Sequence, residues 1–222
     1  MPAAIVAVAT SKGGAGKTLL LQTLVPNLAA FGYKVAVIDA DPNRAFTEWA
    51  ELYGDERPFK LLTEASEKVF SVKAAGLAEE HDIVFIDTPG FGNQGMMVAM
   101  SISDAVIIPS QPGRKNIIEA KNTLDYIPML EVARKRPLPA VVLMTKIDKR
   151  RKTDQFATKQ VEEIQLPTFE TVLSDRDAYN KVTWDPDIAI QGIMGQEANM
   201  LIEEIQKIGW LPEKPQAGAD HG

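Results

Sequence analysis

Apolar positions along the chain follow two alternating rhythms. Short unbroken apolar runs occur at Ala4-Ile5-Val6-Ala7-Val8-Ala9, Val35-Ala36-Val37-Ile38, Ile83-Val84-Phe85-Ile86, Ala105-Val106-Ile107-Ile108 and Leu138 to Met144. Runs that are apolar on both sides of the pleat predict strands buried on both faces. Between them, apolar residues recur every three or four positions, the period of a helix with one buried face. Such helices are predicted after Thr18 (Leu20, Leu21, Leu24, Leu28, Phe31), over Arg44 to Tyr53 (Phe46, Trp49 and Leu52 or Tyr53 inward) and over Ser66 to Glu80. Others run from about Arg114 towards Pro128, with a further turn or two to Arg134, and over Thr153 to Gln165. A closing helix over Glu197 to Ile208 turns Met200, Leu201, Ile205 and Ile208 inward. Pro58 to Thr63 and Pro167 to Leu173 are weaker strand predictions, and Trp184-Asp185-Pro186-Asp187 fits neither rhythm. Strands alternating with helices predict an α/β fold, a doubly wound and mostly parallel β-sheet flanked by helices. Residues 1–212 are expected to form one domain, followed by a polar tail at 213–222 expected to be disordered.

In open α/β sheets ligands lie at the carboxyl ends of the strands, and several of those ends carry reactive residues. The first run leads into Ser11-Lys12-Gly13-Gly14-Ala15-Gly16-Lys17-Thr18 and then a helix. Strand, glycine-rich loop and helix is the setting in which this spelling is a phosphate-binding loop. Its glycines let backbone N–H groups converge on phosphate oxygens, and the helix N-terminus adds partial positive charge. Gly13, Gly14, Ala15, Gly16, Lys17, Thr18 and Leu19 are therefore the nucleotide-binding segment. Lys17 would reach the β- and γ-phosphates, and the Thr18 hydroxyl would hold Mg²⁺. The second run ends on Asp39-Ala40-Asp41-Pro42 and the third on Asp87-Thr88-Pro89-Gly90. Asp87 closes an apolar strand in the manner of a Walker B carboxylate, and Gly90, Gly92 and Gly95 suit a loop that moves on sensing the γ-phosphate.

A second lysine, Lys12, precedes Gly13-Gly14, and K-G-G-x-G-K-T resembles the deviant Walker-A loop of the ParA/MinD family of ATPases. Asp39-x-Asp41-Pro42, Asp87 to Gly90, Ile107-Ile108-Pro109 with Pro112, and Asp175-Arg176-x-Ala178-Tyr179 are similar to further family segments. The resemblance implies a homodimer with ATP sandwiched between protomers, in which Lys12 reaches the partner's phosphates. A solvated loop lysine is the alternative for Lys12. The resemblance also implies that Asp41 positions or polarises the attacking water, making Lys12, Lys17 and Asp41 the catalytic set. Thr18, Asp39 and Asp87 then attend Mg²⁺. Asn43 stands where the family often has glutamine. Thr145-Lys146-Ile147-Asp148 resembles the base-reading N-K-x-D of GTPases with threonine for asparagine, which places Thr145 and Asp148 near the adenine of ATP. Slow, partner-stimulated ATP hydrolysis would then act as the release of an ATP-bound dimer.

Charge decides what such a switch holds. The chain of 222 residues carries a net charge of −6, yet Arg114 to Lys159 alone holds +7 and the remainder −13. The densest clusters are Arg134-Lys135-Arg136 and Lys149-Arg150-Arg151-Lys152. One basic face can bind phosphates, which makes Lys149, Arg150, Arg151 and Lys152 candidates; the ParA resemblance implies that the phosphates are those of DNA bound without sequence preference, and adds Arg176 and Lys181. Solvated loops and an Arg176 paired with Asp175 or Asp177 are the bland alternative. The last helix carries Glu203 and Glu204 with only Lys207, which argues against a MinD-like membrane anchor. Zero cysteines exclude a disulfide framework and any thiolate metal site. No signal peptide or membrane span is spelled out, so a cytoplasmic, nucleoid-associated protein is expected.

The chain thus resembles small plasmid-type ParA proteins without an N-terminal DNA-binding domain, and the related ATPase of conjugative DNA transfer. The expected partners are a ParB-like centromere-binding or adaptor protein and non-specific DNA. Two alternatives stand beside DNA partition: a ParA-like ATPase that positions a protein cluster, and a metabolic P-loop ligase or kinase.

Overall fold

The computed structural model describes residues 4–90 and 94–212, so the expected tail and Gly92 lie outside the described residues. Among the described residues, six strands form one all-parallel sheet: β1 (Ala4–Val8), β2 (Val35–Asp39), β3 (Lys60–Thr63), β4 (Ile83–Asp87), β5 (Ala105–Ser110) and β6 (Ala140–Met144). Their spatial order is β3-β2-β4-β1-β5-β6. The helices are α1 (Lys17–Ala30), α2 (Ala45–Ala50), α3 (Glu67–Glu80), α4 (Gln94–Ile102), α5 (Arg114–Leu124), α6 (Ile127–Arg134), α7 (Lys152–Glu163), α8 (Ala178–Lys181) and α9 (Gly192–Lys207).

Alternate residues of each strand feed two apolar layers. Val6, Val8, Val37 and Phe85 pack with Leu20, Leu24 and Leu28 of α1 and with Leu201 and Ile205 of α9. Ala7, Ile38, Val84 and Ile86 pack with Phe70 of α3, Met100 of α4, Ile117 of α5 and Val161 of α7. Burial on both faces is why the strands read as unbroken apolar runs.

Register then positions the chemistry. Val8 pairs with Asp87, and Asp87 in turn with Asp39, so the ends of β1, β4 and β2 form one row at the sheet's carboxyl edge. Strand order reverses beside β1: the chain runs from β1 out to β2 and β3, returns to β4 next to β1, and then crosses to β5 on the other side of β1. That crevice is where ligands bind in doubly wound sheets.

The sequence expectations need correction in several places. Pro167 to Leu173 is not a strand; its Thr168 makes an isolated bridge with Val142, and Ser174, just beyond it, makes another with Ile147. The reason is a competing acceptor, since the N–H groups of Glu170 and Thr171 donate to the Glu204 carboxylate of α9. The closing helix begins earlier, at Gly192, and buries Met194, Ala198, Leu201, Ile202 and Ile205. Met200 and Ile208 fall off that stripe and stay 56% and 47% exposed. The long helix after Arg114 breaks at Asp125-Tyr126, with Pro128 in the first turn of α6. Leu52 is exposed, whereas Tyr53 turns inward and stacks edge-on against Trp49 and Phe59. Gly95 is not in a loop but inside α4, where an added Cβ would lie 3.2 Å from the Pro89 ring. Trp184 is 85% exposed, and Asp185 caps a short 3-10 turn over Pro186–Ile190 by accepting from the N–H of Asp187. No helix among the described residues is long and apolar enough to cross a membrane.

Candidate nucleotide site

Beyond β1 the chain cannot continue as strand, because Gly14 and Gly16 adopt φ of +74° and +103°. Those angles favour glycine and fold the segment back over the first turn of α1. Gly16 has a second reason to lack a side chain: a Cβ there would sit 3.2 Å from Thr145 Oγ1. Gly13, Gly14, Gly16, Lys17, Thr18 and Leu19 line a cavity of about 550 Å³. Asp41, Pro42, Asn43, Pro89, Gly90 and Lys146 complete its lining. Ala15 is buried behind the loop.

Lys17 is only 7% exposed. Burial pushes its ammonium below the ordinary lysine range, while the Asp87 and Asp41 carboxylates pull it back up. The Thr18 hydroxyl donates to Asp87 Oδ2 at 2.9 Å, and the other Asp87 oxygen, fully buried, has no partner among the described residues. Burial raises the Asp87 carboxyl to about 7, and the neighbouring Asp39 adds to the rise. Such an orphaned oxygen beside a hydroxyl suits a hard cation, which takes oxygen ligands and fills its remaining positions with phosphate and water. The residues present therefore fit Mg²⁺ through Thr18 and Asp87.

Asp39 behaves differently. Its carboxylate accepts from the Thr47 N–H and hydroxyl at 2.8 and 2.7 Å and from the Asp41 N–H at 3.2 Å. It is fully buried and does not line the cavity; it organises the turn that presents Asp41. Asp41 accepts from the Asn43 N–H at 2.9 Å and stands at the cavity wall.

Thr145 and Asp148 each take up a polar partner within the chain. Thr145 is fully buried and donates to the Ala15 carbonyl at 3.1 Å, so it braces the loop from behind. Asp148 accepts from Arg150 at both carboxylate oxygens, and this pairing holds its carboxyl well below the usual range. From this quartet the residue that reaches the cavity is Lys146, at φ +55°.

Several residues that hold the loop were not visible as motifs. Gln111 Nε2 donates to the Gly14 carbonyl at 2.6 Å, Lys12 Nζ donates to Asn116 Oδ1, and Ser11 Oγ donates to Glu119. Gln111 is foreshadowed by its place at the end of β5; Asn116 and Glu119 had no signal beyond helical periodicity. Pro89-Gly90 rests directly on the loop, and a Cβ at Gly90 would lie 3.3 Å from Gly13 Cα.

The basic residues converge in part. The Asp175 N–H bonds to the Ile147 carbonyl, which sets the Lys149-to-Lys152 turn beside Asp175 and Arg176. Arg150 is paired with Asp148, Arg151 with Asp175 at 2.7 Å, and Lys181 with Asp177 at 2.8 Å. Lys149, Lys152 and Arg176 are exposed and have no side-chain partner among the described residues. The Arg134-to-Arg136 cluster does not join them: Arg136 pairs with Asp104, and the Arg134 nitrogens are buried.

Comparison with known proteins agrees with this geometry. The family model described as VirC1 protein matches residues 3–191. Protein virC1 of Rhizobium rhizogenes is 30% identical over 173 residues, covering 76% of this chain and 75% of the relative. Protein ParA of Rhizobium radiobacter is 29% identical over 182 residues, covering 79% and 80%. Among solved structures, the ATP complex of a Cyanothece McdA variant superposes with a TM-score of 0.79 at 17% identity, over 96% of this chain and 99% of that one.

Proposed function

The chain belongs to the VirC1 protein family, within the ParA/MinD group of P-loop ATPases, and from that premise we propose that it is an ATP-dependent dimerisation switch that binds DNA. The observation that carries this is the gathering of Lys17, Thr18, Asp41 and Asp87 at one loop mouth, with Lys12 as a second lysine on the same loop. Phosphoryl transfer to water depends on positioning and charge neutralisation rather than covalent work.

In this mechanism the loop N–H groups and Lys17 hold the β- and γ-phosphates. Thr18 and Asp87 would hold Mg²⁺, which supplies further neutralisation of phosphate charge when bound. Asp41, fixed by Asn43 and by the Asp39–Thr47 turn, orients the attacking water. Lys12 of a second copy completes the site, so the ATP-bound dimer forms before hydrolysis and is dissolved by it. Gly90 and Pro89 touch both the loop and the cavity, which lets hydrolysis reach the protein surface as a change in the switch loop. In the dimer, Lys149, Lys152 and Arg176 lie on the face offered to DNA phosphates, and a ParB-like or adaptor protein stimulates turnover.

A second reading, in which the switch positions a protein complex instead of DNA, is favoured by the neutralisation of Arg150, Arg151 and Lys181 in ion pairs. Binding to random-sequence duplex DNA with ATP, ADP or no nucleotide separates the two. DNA partition or transfer predicts ATP-dependent binding that Asp41→Ala keeps and Lys17→Ala loses. Absence of DNA binding at low salt, with ATP-dependent dimerisation intact, leaves the protein-positioning reading.

A further inference from the structure

One stripe of α5 grips the start of the phosphate loop. Asn116, Glu119 and Thr123 follow helical spacing, and they meet Lys12 Nζ, Ser11 Oγ and the Ser11 N–H in turn, the last at 3.5 Å. Lys12 is consequently half-buried against its own protomer rather than extended into solvent. The amide of Asn116 has one orientation that satisfies its surroundings: Nδ2 donates to the Pro112 carbonyl at 3.2 Å, which leaves Oδ1 for the ammonium.

We propose that this stripe is a cis restraint on Lys12, and that Asn116 must release the lysine before a second copy can use it. The proposal rests on the ATP-sandwich dimer put forward above and names how that dimer is held back. The residue type at position 116 fits the task. A neutral amide holds an ammonium better than hydration alone, yet a phosphate of the partner's nucleotide, carrying full negative charge, displaces it. A carboxylate at the same place would compete with phosphate on nearly equal terms. Nucleotide in the partner is then what exchanges Asn116 for phosphate as the acceptor of Lys12, so dimerisation without ATP gains nothing to offset the lost contact. Asn116 is a positioning residue in this account; it meets Lys12 and not the cavity.

The test is sedimentation equilibrium of the full chain with Mg²⁺ and a non-hydrolysable ATP analogue, for wild type, Asn116→Ala and Asn116→Asp, each with and without Lys12→Ala. Asn116→Ala is expected to lower the concentration at half-dimerisation roughly a hundredfold, about a factor of ten for the charge-assisted hydrogen bond released in each of the two protomers. Asn116→Asp is expected to raise it by a similar factor. Both effects vanish in the Lys12→Ala background, and binding of the analogue to monomer is unchanged. Both substitutions lose the Pro112 contact, so a merely structural role moves them in the same direction, which overturns the proposal. Equal midpoints, or shifts that persist without Lys12, overturn it too. If wild type dimerises and only the Asn116 arms fail, the restraint is wrong and the dimer stands. If wild type stays monomeric at every concentration, both fall.

Discussion

The phosphate-loop end of the sheet and the basic corner around Lys149 to Lys152 both stood out in the sequence, but they differ in what became of them. At the loop, backbone conformation does the positioning: glycines at positive φ and strand ends in register bring Lys17, Thr18 and Asp41 to one cavity, with Asp87 buried behind Thr18. At the basic corner, position depends on long side chains, and acidic residues compete for them. Of the six cations expected to face DNA, three are held in ion pairs and three are free of side-chain partners among the described residues. A motif written in backbone terms carries its own geometry. A count of charges does not, because each charge is available only if nothing nearby claims it.

The loop end predicts the larger effects. Lys17→Ala removes a buried cation from the cavity proposed to hold the phosphates and is expected to weaken ATP roughly a hundredfold or more, read by titration with a fluorescent nucleotide. An unchanged affinity would detach the motif from the cavity altogether. Asp87 predicts an effect on stability in the metal- and nucleotide-free protein. Its carboxyl is raised from 3.8 to about 7, first by burial and then by Asp39, so between those values the folded chain keeps a proton that the unfolded chain has lost. The contribution of Asp87 to stability is therefore greatest below the lower value and declines as pH rises through about 7. Asp87→Asn removes most of that decline and is expected to raise stability above pH 7 by on the order of 1–2 kcal/mol, measured by denaturant unfolding across pH. A residual slope comes from Asp39, whose carboxyl burial also raises. A variant with the wild-type slope would refute the assignment. Gly90→Ala places a methyl 3.3 Å from Gly13 Cα, where only backbone can yield. It is expected to slow ATP hydrolysis about tenfold while the melting temperature changes little, since the strain falls on a loop contact rather than the core.

What was legible in the sequence follows the same division. The doubly wound α/β sheet, expected mostly parallel and found all-parallel among the described residues, both apolar layers and the loop–Asp39–Asp87 row were written in local patterns of run length, period and glycine spacing. Asp39 and Thr145 were legible as residues near the site but their partners were not: Thr47 and the Ala15 carbonyl take up their polar atoms. Gln111 and Asn116 hold the loop from 97 and 104 residues away, a separation that no periodicity reports. Pro167 to Leu173 had the composition of a strand, yet the Glu204 carboxylate, brought by α9, captured two of its N–H groups. Tertiary acceptors, rather than propensity, account for that difference.

The basic corner predicts the smallest effects, and their signs are what matter. DNA binding by this face should weaken with salt, each phosphate contact adding about 0.9 to the slope of log affinity against log salt. Arg176→Ala and Lys152→Ala, which remove unpaired cations, should each flatten the slope by nearly that amount. Arg151→Ala should flatten it less, since Asp175 already neutralises Arg151 at 2.7 Å. Asp175→Asn gives the opposite sign: it frees Arg151 without adding a cation, so low-salt affinity and slope should both rise, by less than one contact's worth. That increase has to disappear in the Arg151→Ala background, where there is no guanidinium to release. Were Asp175→Asn to leave the slope unchanged while Arg151→Ala flattens it fully, Arg151 would already be exchanging Asp175 for phosphate at no cost. The ion pairs of this corner would then be no barrier to DNA, and the charge count of the sequence would have been the better guide.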